Sequence, residues 1–221
     1  MPVSPDVNPE LRWVVLVSLP VSAPYVRIDG LAVPVRVSGH AGLELCNTFA
    51  GWNQPPAKDY LLSYDHLAVW AGETGLLTSD YVRELRALAG HRPQQATAVL
   101  RRAREFRGQA YEVLLGRAEA DTFQRFAEAV HAAGAKVRLI NDGKIRREIN
   151  LDAGLAAPIL AAAWTASELL ISPFRTQVRA CPGNGCGWLF LDRSGRRRWC
   201  TMSTCGNRAK ARRFASRQHG G

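Results

Sequence analysis

The placement of the cysteines constrains this chain more than any other feature. Four of the five fall within 25 residues, at Cys181, Cys186, Cys200 and Cys205, with four residues inside each pair and thirteen between the pairs. A segment this short cannot bury a self-sufficient apolar core, so it needs a cross-link to fold. Two close thiol pairs joined by a returning loop supply the corners of a closed tetrahedron. That is the arrangement of a structural zinc ion, here one per chain. Disulfides in an exported chain, or unrelated buried thiols, are competing accounts of the same residues. Four intervening residues, where two are commoner, leave those accounts open on spacing alone. Gly183, Gly185, Gly187 and Gly206 sit where the backbone must turn tightly around the thiols. Trp188, Leu189, Phe190, Leu191 and Trp199 offer a small apolar cap.

The charge follows the cysteines. The chain carries a formal +10, yet residues 1–173 hold 18 basic and 18 acidic side chains, while residues 174–221 hold 11 basic side chains against Asp192 alone. Four thiolates around one divalent ion subtract about two charges and leave the tail strongly positive. Such asymmetry points to a polyanion, and to nucleic acid over a membrane surface because no apolar amphipathic face accompanies it. The candidate contacts are Arg196, Arg197 and Arg198 in the loop, then Asn207, Arg208, Lys210, Arg212, Arg213 and Arg217 on a helix expected after the last cysteine. Arg208 with Arg212, and Arg213 with Arg217, are like-charged pairs four residues apart, which repel until a partner neutralises them. Asn207 is placed to cap that helix. A merely solvated basic tail is the alternative.

Upstream, apolar spacing divides the chain. Residues 1–38 form a β-rich extension, with strand patterns over Leu11–Leu19, Tyr25–Ile28 and Leu31–Val37 broken by Pro20, Pro24, Gly30 and Pro34. Residues 39–173 read as a mainly helical domain. The segment Leu43–Phe49 is either a strand or a helix start. Helical stripes follow from Tyr64, from Ser79 and Asp80 to Gly90, from Pro93 to Leu115, and over Ala118–Ala133 with Phe123, Phe126 and Val130 inward. A hairpin over residues 137–149 turns at Asn141, Asp142 and Gly143, and Asp152–Ser172 returns to helix before Pro173. The fold class is therefore α+β: a mainly α-helical domain with a small β-sheet or hairpin, then a zinc-finger module over 174–221 ending in a basic helix. Loss of the metal is expected to unfold that module while the helical domain stays folded.

Enzymatic signatures are missing. A closed four-thiolate site leaves no open position for water, and His40, His66, His91, His131 and His219 are scattered without ligand or triad spacing. No phosphate-binding or dinucleotide fingerprint occurs. No apolar run is long enough to read as a membrane span, and a cytoplasmic location is expected. Cys46 lies in an apolar stretch, where a buried thiol is the simpler reading than a redox sensor.

Cys205, Gly206, Asn207 and Arg208 spell CGNR. With CGWLFLDRS at 186–194 and RRWC at 197–200, the tail resembles the CGNR zinc finger family. The upstream chain is similar to the ABATE domain that accompanies this finger in bacterial proteins described as stress-induced transcription regulators. Asn47 with Thr48, the stretch SYDHLAVWAGETGLL at 63–77 and SELLIS before the finger carry that likeness. The resemblance implies that the four finger cysteines bind zinc and that Asn207 and Arg208 form a signature pair. Glu44 stands where the family has aspartate, and Cys46 where it has an aliphatic or aromatic residue. The expected function is then a zinc-dependent DNA-binding regulator, nucleoid-associated, with the neutral domain serving a small-molecule effector or a homodimer contact. An RNA-binding or translation-associated module is the alternative.

Overall fold

The computed structural model describes residues 25–218; the strand expected over Leu11–Leu19 lies outside the described residues. The first described elements are β1 (Tyr25–Ile28) and β2 (Leu31–Pro34), an antiparallel hairpin. Its two-residue turn has positive φ at both Asp29 and Gly30, which suits the twist of the flanking strands. β2 stops at Pro34, short of the expected Val37. The ambiguous apolar segment resolves as a helical turn, α1 (Ala41–Glu44), capped by His40, followed by a 3-10 turn over Cys46–Thr48 and a short strand β3 (Phe49–Ala50) paired with β4 (Lys58–Asp59).

Helices then dominate: α2 (Tyr64–Glu73), α3 (Ser79–His91), α4 (Pro93–Leu114), α5 (Ala120–Gly134) and α6 (Ala157–Ile171). Ser63 caps α2, and Pro93 opens the longest helix at a position needing no amide donor. Thr78, not Ser79, caps α3, and the helix runs through Gly90 to His91. Between α5 and α6, β5 (Val137–Asn141) and β6 (Ile145–Ile149) form the expected hairpin. The last expected helix begins later than its apolar pattern: Leu151–Ala156 is a 3-10 segment kinked at Gly154, with φ 51°, and α6 starts only at Ala157.

The alanine-rich α6 is the hub, packing on α1, α2, α4 and α5. Ala161, Ala162, Ala163, Ala166 and Leu169 are buried there. Its small residues let α1 approach so closely that a Cβ on Gly42 would sit 2.7 Å from the Thr165 carbonyl. That contact fixes α1 and, one turn later, Asn47. By length and composition Leu151–Ile171 is apolar enough to cross a membrane, but these contacts make it the core helix of the domain. One inward assignment fails: Phe123 is 54% exposed, while Phe126, one turn on, is buried and stacks on Phe106.

Among the described residues the strands form four separate two-stranded hairpins and not one sheet. The last pairs β7 (Val178–Ala180) with β8 (Leu189–Leu191), and α7 (Asn207–Gln218) ends the described chain. This tail packs against the helices. Val178, Leu189 and Leu191 belong to the main apolar core, and Asn47 reads the backbone of β8 from both sides. Its Oδ1 accepts from Leu189 N at 2.7 Å and its Nδ2 donates to Leu189 O at 3.0 Å.

Candidate metal centre and nucleic-acid interface

The turn between β7 and β8 carries the first cysteine pair and is held from the helical side. Asn53 accepts from Cys186 N and donates to Gly183 O, Gln54 meets Asn184, and Tyr111 donates to Gly187 O. Trp52 stacks on Tyr111 with ring centroids 4.1 Å apart, while Trp188 donates to Phe49 O. Gly187 has φ 74°, and a Cβ there would lie 2.5 Å from Trp52 Cβ. Glycine is thus required both for conformation and for approach. The second pair comes from the other side of the connecting loop. Cys205 lies in a π-turn over Met202–Gly206 that leads into α7 and is capped by Thr201.

All four thiols are buried, and their sulfurs lie within 4.8 Å of one another. Cys186 and Cys200 sulfurs are 3.7 Å apart, and Cys200 and Cys205 sulfurs 3.6 Å. A disulfide would bring a pair to about 2 Å, whereas zinc–thiolate bonds of about 2.3 Å in a tetrahedron separate sulfurs by about 3.8 Å. The donor set therefore fits a four-thiolate ion and not a disulfide. Gly183 adds to the fit, since a Cβ there would fall 2.9 Å from the Cys205 sulfur. Hydrogen bonds within the cluster, Cys186 to Cys181 and Cys181 to Cys205 foremost, favour Cys181 and Cys205 as thiolates. Hydrogen bonds within the cluster, those with Cys181 foremost, followed by burial, push Cys186 and Cys200 up. A divalent cation removes that conflict. Arg208 adds a charge-assisted bond, its Nη2 lying 3.3 Å from the Cys205 sulfur.

The nine expected nucleic-acid contacts divide into two groups. Arg196, Arg198, Asn207, Lys210, Arg212, Arg213 and Arg217 are exposed. Arg198 lies beside Trp199 across a shallow depression from Arg212, Arg213 and Arg217, so loop and helix arginines line one surface. Arg197 departs from this set. Its guanidinium turns inward, covers the Phe190 ring at 4.5 Å, and donates to the carbonyls of Val37 and Cys200 at 2.6 Å each. Arg208 is half-buried against the metal centre. Asn207 does not cap α7, because it is already helical and donates to Ser203 O.

Sequence reading did not find Phe214, an apolar side chain 65% exposed among the arginines of α7, although its isolation in a polar helix was visible. Nor did it assign Asn53, Trp52 and Tyr111 to the zinc turn, because their partners lie far along the chain. Cys46, by contrast, is fully buried, its thiol pushed up to about 12 chiefly by burial.

A four-thiolate turn docked on a helical domain and followed by a basic helix defines a zinc-finger protein with an attached α-helical partner. Comparison with family models agrees. Residues 177–218 match the CGNR zinc finger, and residues 39–173 match the ABATE family, described as "Putative stress-induced transcription regulator". The chain belongs to this family of ABATE-domain proteins with a CGNR zinc finger. A search of curated proteins found no match.

Proposed function

We propose that this protein is a DNA-binding transcription regulator in which Cys181, Cys186, Cys200 and Cys205 hold one structural zinc ion and α7 enters the DNA groove. The observation that carries this reading is the arginine surface where loop and α7 meet. Apart from the half-buried Arg208, the basic side chains of α7 are exposed, and the helix contains no acidic residue. At 12 residues it is about 18 Å long, enough to lie across a major groove about 12 Å wide.

Zinc, when bound, supplies a divalent centre that offsets half of the thiolate charge and pins the π-turn. The chain's own residues do the rest. Arg208 holds the Cys205 sulfur, which fixes the first turn of α7. Thr201 orients the turn before it. Arg198, Arg213 and Arg217 neutralise phosphates, while Asn207 at the first position of the helix and Arg212 at its middle, both exposed, are the side chains that read adenine and guanine edges. Phe214 offers an apolar face to thymine methyl groups or sugars.

The reading is tested with zinc-loaded protein and fragmented genomic DNA at physiological salt. Enrichment of a few loci sharing a motif is the expected result. Double replacement of Arg213 and Arg217 by glutamine should weaken binding on every sequence and flatten the log–log salt slope by about 0.9 per lost phosphate contact. Uniform recovery of DNA, or preference for structured RNA in competition, would remove the DNA regulator reading.

A further inference from the structure

An apolar groove of about 470 Å³ lies between α5 and the C-terminal end of α6, lined by Phe123, Phe126, Val130, Leu170 and Ile171 with Arg175 at its rim. Phe126 is buried, but Phe123 is 54% and Ile171 88% exposed. Water therefore covers apolar surface that these helices leave uncapped. The size falls within the range of small-molecule sites.

Its polar chemistry is sparse and of one sign. The lining contains no acidic residue. Ser167 donates its hydroxyl hydrogen to the Trp164 carbonyl and keeps an oxygen for accepting. The exposed Arg175 guanidinium has no hydrogen-bond or ion-pair partner among the described residues. Apolar walls with one unpaired cation at the edge complement an apolar body bearing a single negative group. A second copy seated groove on groove across a two-fold axis fits poorly, for it would bring two Arg175 side chains together with no acid to separate them.

We propose that this groove binds an amphipathic monoanion, a carboxylate on an aliphatic or aromatic body, with the body between Phe123 and Ile171 and the carboxylate on Arg175. The position links it to the finger. Arg175 lies in the 3-10 turn Pro173–Gln177 that joins α6 to β7. The next residues are tied into the finger, since Gln177 O accepts from Asp192 N at 2.9 Å and Val178 pairs with Leu191. A ligand drawing on Arg175 acts on the only covalent link between the helices and the metal centre. This regulatory consequence rests on the DNA reading above, whereas ligand binding does not.

The test is calorimetric titration of the zinc-loaded full chain with octanoate, octan-1-ol and octylammonium. Octanoate should saturate at one per chain, and the alcohol and amine should bind at least about tenfold more weakly. Arg175→Gln should lower octanoate affinity to the level of the alcohol. Ile171→Glu, at a site too exposed to disturb folding, should abolish octanoate binding and improve that of octylammonium. Equal binding of acid and alcohol, no saturation in the millimolar range, or indifference to both variants overturns the site. So does a dimer that Ile171→Glu dissociates, since a second copy then fills the groove. In a separate arm, octanoate should shift DNA affinity in the parent but not in Arg175→Gln. Saturable binding without that shift leaves the ligand site standing and removes its regulatory consequence, independently of whether DNA is bound at all.

Discussion

Asn47→Ala removes no metal ligand and no charge, yet it should weaken both the fold and the hold on zinc. Asn47 is fully buried, and both ends of its amide bond the backbone of Leu189, itself fully buried. Truncation leaves a buried amide hydrogen and a buried carbonyl without partners. Each such orphan costs about 1 to 3 kcal/mol, so the pair is expected to cost about 2 to 6 kcal/mol, a large share of a typical domain's stability. β8 lies next to Cys186, so the loosened strand also releases one edge of the tetrahedron. Urea unfolding followed by tryptophan fluorescence measures the first effect, and the rate of zinc transfer to a chromogenic chelator measures the second. Both should change together. An unfolding midpoint and a transfer rate that match the parent would refute the claim that the helical domain and the metal centre share one interface.

Arg197→Gln should reduce stability by about 2 kcal/mol, since two carbonyls lose a charged donor. The salt slope of DNA binding should not change; a flattened slope in anisotropy titrations would return Arg197 to the interface. Asp59 is drawn two ways: burial opposes its ionisation, but the paired bonds from Arg107 at 2.7 Å prevail and hold its carboxyl below the ordinary range. A depressed folded-state value gives stability that is present above the unfolded value, about 4, and lost as pH falls through the folded one. The stability gap between parent and Asp59→Asn, read from melting curves, should therefore be full at neutral pH and close below about pH 4. Iodoacetamide should leave Cys46 unlabelled in the native zinc-loaded protein and label it only on unfolding; rapid native labelling would reinstate a sensing role.

Local signals were legible where one residue's chemistry decides the outcome. Ser63 and Pro93 mark helix starts, the 137–149 pattern marks a hairpin, and the four cysteines mark their own cluster. Competing neighbours were harder: Thr78 and Ser79 are both good caps, and it is Thr78 that keeps an extended backbone and accepts from Tyr81 N. Phe123 satisfies the helical stripe of α5, but that stripe is wider than the surface available on α4 and α6, so its edge stays exposed. Arg196, Arg197 and Arg198 are identical in composition, and only the loop's path turns the middle one inward. The bonds from Asn47 to Leu189 span 142 residues, and no periodicity or spacing encodes such a partner. The resemblance marked Asn47 without giving the reason.

The docking also explains how the metal centre's parts divide their work. The helical domain grips the first cysteine pair through Asn53, Trp52 and Tyr111, and it grips β8 through Asn47. The second pair is buried as well, but the helix that follows it is presented: α7 packs on the π-turn before it, and residues 210–218 are exposed. A zinc ion held by the four cysteines, as proposed above, would bridge these two halves. Because the metal binds only when both halves are in place, every increment by which the domain stabilises the first pair appears equally as zinc affinity, and zinc stabilises the domain by the same amount in return. Residues 1–173 contribute no net charge to this arrangement. In the DNA reading proposed above, the excess positive charge that draws the nucleic acid then comes from the tail, and packing against the core orients it.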